Sequence, residues 1–181
     1  DALVRERALT FASRAGGYAT ELSKMVGDSS PRVRFQLALT LGALPANEAV
    51  DGLGTLMRSD WGNAWIVGAV LSAPVEHVRA LFDHRETRGF LSSTTGAAVA
   101  SQMIGLLAGA ADTPDRLQAV LKFVAANPNA EILRSLGEGL KRRGTTIAKA
   151  DTGGLLAETF ASLATIAPNP DLNDKTRAGA L

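Results

Sequence analysis

The sequence predicts an all-α fold, a solenoid-like array of about five helix pairs without strands, and three observations carry that expectation. Apolar residues recur at helical spacing in one segment after another. Clusters of proline, asparagine and glycine cut those segments at short intervals. Val4, Val33 and Ile66, placed in register, fall 29 and 33 residues apart, a period that suits stacked helix pairs with short connections.

The clearest single helix is residues 31–42. Ser30 is placed to cap it, Pro31 suits a first turn whose N–H has no helical partner, and Gly42 stands where the helix should stop. Val33, Leu37 and Leu41 share one face. Residues 3–14 repeat that logic, with Val4, Ala8 and Phe11 expected on the inner face. A second helix over about 19–26 ends at Gly27. After a break at Leu44-Pro45-Ala46-Asn47, residues 48–58 are expected to turn Val50, Leu53, Leu56 and Met57 inward. A helix over 64–72 follows Asp60-Trp61-Gly62-Asn63, and another follows Pro74 over 75–82.

Residues 84–90 read as a charged connector, after which Ser92 or Ser93 is expected to cap a long Ala- and Gly-rich helix reaching about Ala110. Thr113-Pro114-Asp115 starts the next, carrying Leu117, Val120, Leu121 and Val124, and Asn127-Pro128-Asn129 ends that pair. Ile132, Leu133, Leu136 and Leu140 mark a helix closing at Lys141-Arg142-Arg143-Gly144. Residues 145–154 read as an irregular loop and 155–166 as a further helix. Pro168-Asn169-Pro170 separates this from a helix at Asp174 that reads as cut off soon after it starts, with Leu172 and Leu181 exposed by the cut. No linker divides the array, so residues 1–181 read as one domain, and the opening on Asp1 without a methionine makes it read as a piece of a larger protein.

Hydrophobic residues make up 46% and aromatics only 5%, so the core is expected to be built from Ala, Leu and Val, which let helices approach closely. Nineteen Lys and Arg against 18 Asp and Glu leave a net charge of +1, too little for an overall field that gathers nucleic acid or an anionic membrane. With no cysteine, the chain holds no disulfide, thiolate zinc site, cysteine nucleophile or covalent c-type haem attachment of its own. No uninterrupted apolar run approaches the ~18 residues that a membrane-spanning helix needs.

Pro31-Arg32-Val33-Arg34 resembles the first-helix signature of HEAT repeats, and Leu3-Val4-Arg5 resembles it in part. Trp65-Ile66-Val67 fits with a departure, Val67 standing where the signature has Arg, which leaves open whatever polar contact that Arg makes. A narrower resemblance covers most of the chain. Residues 33–42, 65–72 and 136–144 are similar to three successive landmarks in the HEAT region of large bacterial multidomain proteins of the membrane-bound dehydrogenase or haem-binding kind. In those, a β-propeller or dehydrogenase-like domain precedes the array and a c-type cytochrome domain with a Cys-x-x-Cys-His motif follows it. The resemblance implies an exported, periplasmic or membrane-associated redox parent with haem c elsewhere in it, and places no cofactor or redox residue in this segment.

His77 and His84, seven apart, would share a face on a continuous helix, with Glu76, Asp83 and Glu86 near them. Two histidines without further ligand spacing read as solvated or capping side chains rather than a metal site. A serine hydrolase site would need a nucleophile elbow that is absent. Gly52-Leu53-Gly54 and Gly137-Glu138-Gly139 lack the preceding strand of a dinucleotide fingerprint and read as close helix packing. Lys141, Arg142 and Arg143, with Lys149 nearby, form one basic cluster, which the negative end of the helix dipole explains. Trp65 is expected in the core; for Trp61, before the helix, core packing is the favoured reading and an exposed partner anchor beside a groove the alternative.

These readings point to a non-enzymatic scaffold or protein-interaction segment, with Trp61, Lys141, Arg142 and Arg143 as candidate partner-binding residues and no catalytic, cofactor or metal residue. Its partner would be protein, the neighbouring domains of the parent or another chain, rather than a membrane or nucleic acid. A HEAT-like DNA glycosylase would need a recurrent Lys/Arg stripe along its groove. A peptide-binding adaptor would need an apolar or Trp-lined one.

Overall fold

The computed structural model describes residues 1–15 and 18–166, with side chains for 1–12 and 18–165. The Pro168 break, the helix expected at Asp174 and the exposure of Leu172 and Leu181 lie outside the described residues. The fold is all-α: the described residues form twelve α-helices and one 3-10 turn, with no strand. Two compact units divide the chain, Asp1–Gly96 and Ala97–Leu181.

The first unit holds α1 (Ala2–Ala15), α2 (Ala19–Ser23) continuing as a 3-10 turn (Lys24–Gly27), α3 (Pro31–Gly42), α4 (Ala46–Ser59), α5 (Ala64–Leu71), α6 (Val75–Asp83) and α7 (Arg85–Leu91). α1, α3 and α5 pack side by side, α2, α4 and α6 form a second row, and α7 leans on α4 and α6. Equivalent positions start the first-row helices. The Asp1 carboxylate accepts from the Leu3 N–H at 2.8 Å, and the Asn63 carbonyl oxygen accepts from Trp65 and Ile66 at 3.1 and 3.3 Å, each supplying an acceptor to orphan helix-start amides. Ser30 holds the same position but makes no side-chain cap; its own N–H goes to Asp28 at 2.9 Å, and Pro31 opens the helix. Asp1, Ser30 and Asn63 are spaced 29 and 33 residues apart, the same register as Val4, Val33 and Ile66.

Arg5 and Arg34 join the rows to the loops that follow them. Arg5 grips Asp28 with Nε and Nη2 at 2.6 and 2.9 Å, and Arg34 grips Asp60 in the same fork at 2.8 and 2.7 Å while also donating to the Asp28 carbonyl oxygen. This is the polar contact that the Val-Arg signature left open: each arginine ties its helix to the loop that launches the next first-row helix. At the third position Val67 is buried apolar surface instead.

The second unit holds α8 (Ala97–Ala110), α9 (Pro114–Ala126), α10 (Ala130–Arg142), α11 (Ile147–Ala150) and α12 (Ala157–Ile166). Thr113 and Asn129 cap α9 and α10, Asn129 through the Glu131 and Ile132 amides. α8 and α10 lie in intimate contact because their facing residues are small. Ser101 Oγ meets Ser135 Oγ at 2.7 Å, and a Cβ on Gly139 would stand 2.5 Å from the Gly105 carbonyl oxygen and 2.9 Å from Ala108 Cβ. Gly144, at φ 72°, adopts the left-handed turn that ends α10 and lets the Thr145 N–H reach the Leu140 carbonyl at 3.1 Å.

Several expectations are corrected. Residues 84–90 are not a connector but carry α7, and the loop after α10 contains the one-turn helix α11, which raises ten expected helices to twelve. α4 begins at Ala46, directly after Pro45, so Ala49 joins the buried stripe and Val50 is only half-buried. Ser93 does not cap α8, which begins at Ala97; its hydroxyl accepts from the Gly96 N–H in the turn between helices. The largest corrections concern which side of a helix faces inward. In α1 the inner stripe is Ala2, Arg5 and Leu9, and Val4, Ala8 and Phe11 are exposed.

Candidate interaction surface

Three first-row helices in one register allow position-by-position comparison. Leu3, Arg32 and Trp65 are equivalent and all exposed; Thr10, Leu39 and Ser72 are a second exposed set. Seven residues apart on each helix, the two sets share one stripe, which forms the outer surface of the row. The face turned toward the preceding helix behaves differently along the row. Val33 and Thr40 are 0% and 1% exposed, the Thr40 hydroxyl donating to the Leu9 carbonyl of α1 at 3.2 Å, whereas their α1 equivalents Val4 and Phe11 are 66% and 70% exposed.

Trp65 overturns its expected place in the core: it is 80% exposed, because the buried register position is Ile66, one residue later. Trp61 is 51% exposed, in the turn before α5. Asn63 holds the backbone between these two indoles, and Arg34 holds Asp60 beside them, so both large apolar rings stand on a braced segment.

His77 overturns its solvated or capping reading. It is buried in α6, with Nε2 at 2.7 Å from the Leu44 carbonyl oxygen, so the ring donates there and joins α6 to the end of α3. Nδ1 is buried and has no partner among the described residues. His84 stands at the start of α7, its Nε2 3.4 Å from Asp51 and its Nδ1 3.4 Å from the Thr87 hydroxyl. Among the described residues no group of three His, Asp or Glu side chains is arranged to hold a metal ion.

Within the basic cluster the structure distinguishes Arg142. Arg142 donates Nη2 to the Gly105 carbonyl of α8 at 2.7 Å, and Lys141, Arg142, Arg143 and Lys149 are all exposed. In the first unit four arginines are matched to acids: Arg5 to Asp28, Arg32 to Glu6, Arg34 to Asp60 and Arg58 to Glu86. The hydrogen bonds from Arg5, followed by the Ser30 N–H, hold the Asp28 carboxyl below its ordinary value of 3.8, and the same bonds raise the Arg5 guanidinium. Gly52 and Gly54 are buried in α4 where side chains would meet Leu41 and Thr87, and Gly139 is the close-packing member of its own pair.

No protein-family profile, curated protein or solved structure matches this chain.

The outer row and the exposure of Trp65 were missed by a reading that treats every large apolar side chain at helical spacing as core. The signal that finds them is the register itself: Trp65 aligns with Arg32 and Leu3, not with Val33.

Proposed function

We propose that this chain is a non-catalytic, HEAT-like helical segment that serves as a spacer and docking surface within a larger exported redox protein of the membrane-bound dehydrogenase or haem-binding kind. Haem c belongs elsewhere in that parent, and the partners of this segment are its neighbouring domains or another protein. The repeated frame supports the scaffold reading: equivalent capping positions, and an Arg-to-Asp fork that fixes each first-row helix to the next launch loop. The observation that carries the docking reading is the exposed pair Trp61 and Trp65. Tryptophan is the side chain most enriched where a protein contact concentrates its binding energy, and a braced backbone lowers the ordering cost of using it.

The test has two parts. The open reading frame around the segment is expected to carry an export signal upstream and a Cys-x-x-Cys-His motif downstream; a frame with neither removes the redox context. Indole fluorescence of the segment is expected to be water-exposed, and to shift to the blue and resist acrylamide quenching when the parent's flanking domains are added as separate polypeptides. Unchanged emission with those domains overturns the docking role of the tryptophans.

A further inference from the structure

We propose that the cavity between the first half of α9 and the connection from α11 to α12 is a binding site for a primary ammonium group on an aliphatic stem. That is the chemistry of a lysine side chain and of a free alkylamine. The site lies in the second unit and is independent of the reading of Trp61 and Trp65.

The first argument is the walls. The cavity has a volume of about 310 Å³, which falls in the range of small-ligand sites, roughly 300–1,000 Å³. α9 lines it with Leu117 and Leu121, one turn apart, and with Asp115 and Gln118; the opposite wall supplies Thr152 and Leu155. That second wall is braced. Both oxygens of the Asp151 carboxylate accept backbone amides, Leu155 and Leu156, at 2.8 Å, and Gly154, at φ 67°, makes the left-handed turn between them. A helix and a hydrogen-bonded turn therefore bound the space before any ligand enters it.

The second argument is charge. Among the described residues that line the cavity the ionisable side chains are Asp115 and Asp151, with no Lys or Arg. Arg116, next to Asp115 in sequence, is held by Asp112, its Nη1 2.6 Å from Oδ2. Asp115 is exposed and its carboxylate has no ion pair or hydrogen bond among the described residues. An acid is favoured in the first turn of a helix, which accounts for its place there and leaves its oxygens open. Such a lining repels an anion. It also suits a metal ion poorly, since among the described residues no group of three His, Asp or Glu side chains is arranged to hold one. An alkylammonium meets both halves of the site. Its stem covers Leu117, Leu121 and Leu155, and its three N–H donors answer the acceptors of Asp115, Gln118 and Thr152.

The experiment follows the backbone amide shifts of the full chain at pH 7 and low salt during titration with three probes. Pentylamine carries the charge and the stem, methylamine the charge alone, and pentanol the stem alone. Pentylamine is expected to shift the amides of residues 115–121 and 150–155 with a Kd on the order of 1 mM, and the other two to bind about tenfold more weakly or less. Asp115→Asn is expected to weaken pentylamine about tenfold and leave pentanol unchanged, a split that general loss of structure cannot produce. Methylamine binding as well as pentylamine, an unchanged affinity in Asp115→Asn, or no binding at all overturns the proposal. So do equal shifts around Glu48 and Glu76, exposed acids of the first unit, which would reduce the effect to unselective attraction. The peptide acetyl-Gly-Lys-Gly-amide then tells the two sources apart. Tighter binding than pentylamine assigns the site to a lysine of a partner protein, and weaker binding assigns it to a free amine; either result upholds the ammonium site.

Discussion

Replacing Gly139 by alanine is expected to destabilise the second unit, while the same replacement at Gly137, two residues earlier in the same helix, is expected to stabilise it. Both changes gain helix propensity, about 1 kcal/mol for removing a helical glycine. They differ in what the new methyl meets. At Gly137 it would lie 3.6 Å from the end of the Ile147 side chain, an ordinary contact. At Gly139 it would lie 2.5 Å from the Gly105 carbonyl oxygen and 3.1 Å from the Gly109 nitrogen, both backbone atoms that no rotamer change can move. Relief requires α8 and α10 to separate by roughly 1 Å, the shortfall from an ordinary contact of about 3.5 Å. Overpacking of this kind costs about 1–3 kcal/mol. Separation also weakens the Ser101–Ser135 bond, worth about 1 kcal/mol, and the charged Arg142 bond to Gly105, worth about 1.5–3 kcal/mol. After the propensity gain the net loss is about 3 kcal/mol, or roughly 6–12 °C in Tm for a chain of this size. Thermal and urea unfolding of the two variants beside the wild type provide the assay. A Gly139→Ala protein as stable as Gly137→Ala would refute the close-packing argument for α8 and α10.

Three further outcomes are expected. Leu37→Ala, emptying a fully buried position, should cost about 3 kcal/mol by urea unfolding, whereas Phe11→Ala, at a 70% exposed position, should stay within about 0.5 kcal/mol; equal costs would mean that α1's outer face is covered in the isolated chain. Asn63→Ala should lose about 1 kcal/mol with the Trp65 and Ile66 amides unsatisfied, and Asn63→Asp should recover most of it; an unchanged Tm in Asn63→Ala would remove the cap from the account. Because the folded Asp28 carboxyl sits below its ordinary 3.8, the native state binds this proton less readily than the unfolded chain. Its contribution is therefore complete above that value and lost as pH falls through it toward the lowered folded value. Tm curves of wild type and Asp28→Asn should run apart above about pH 4 and draw together below it; parallel curves down to pH 2 would show that the Arg5 fork does not govern acid stability.

Much of the fold was legible from local chemistry. Pro31, Asn63, Thr113 and Asn129 start helices by interactions within a few residues, and Gly144 ends one through its own backbone freedom, so those boundaries follow from short stretches of chain. The missed segments fail for a related reason: α7 and α11, seven and four residues long, are too short for apolar periodicity to show. The candidate surface was legible only in part. Trp61 was carried as a candidate partner residue although core packing was favoured for it, while Trp65 was assigned to the core on its place in the repeat.

What the sequence by itself determined is that the chain is helical, where most helices begin and end, and the 29- and 33-residue register that relates the first three first-row helices. Only the tertiary structure decided which face of each helix is inside. Val4, Ala8 and Phe11 have the same spacing as Val33, Leu37 and Thr40, yet one set is wet and the other dry, because burial depends on the presence of a neighbouring helix. His77 on the Leu44 carbonyl and Arg142 on the Gly105 carbonyl follow the same rule. Their partners lie 33 and 37 residues away, and a side chain's pattern along its own helix carries no record of what stands opposite.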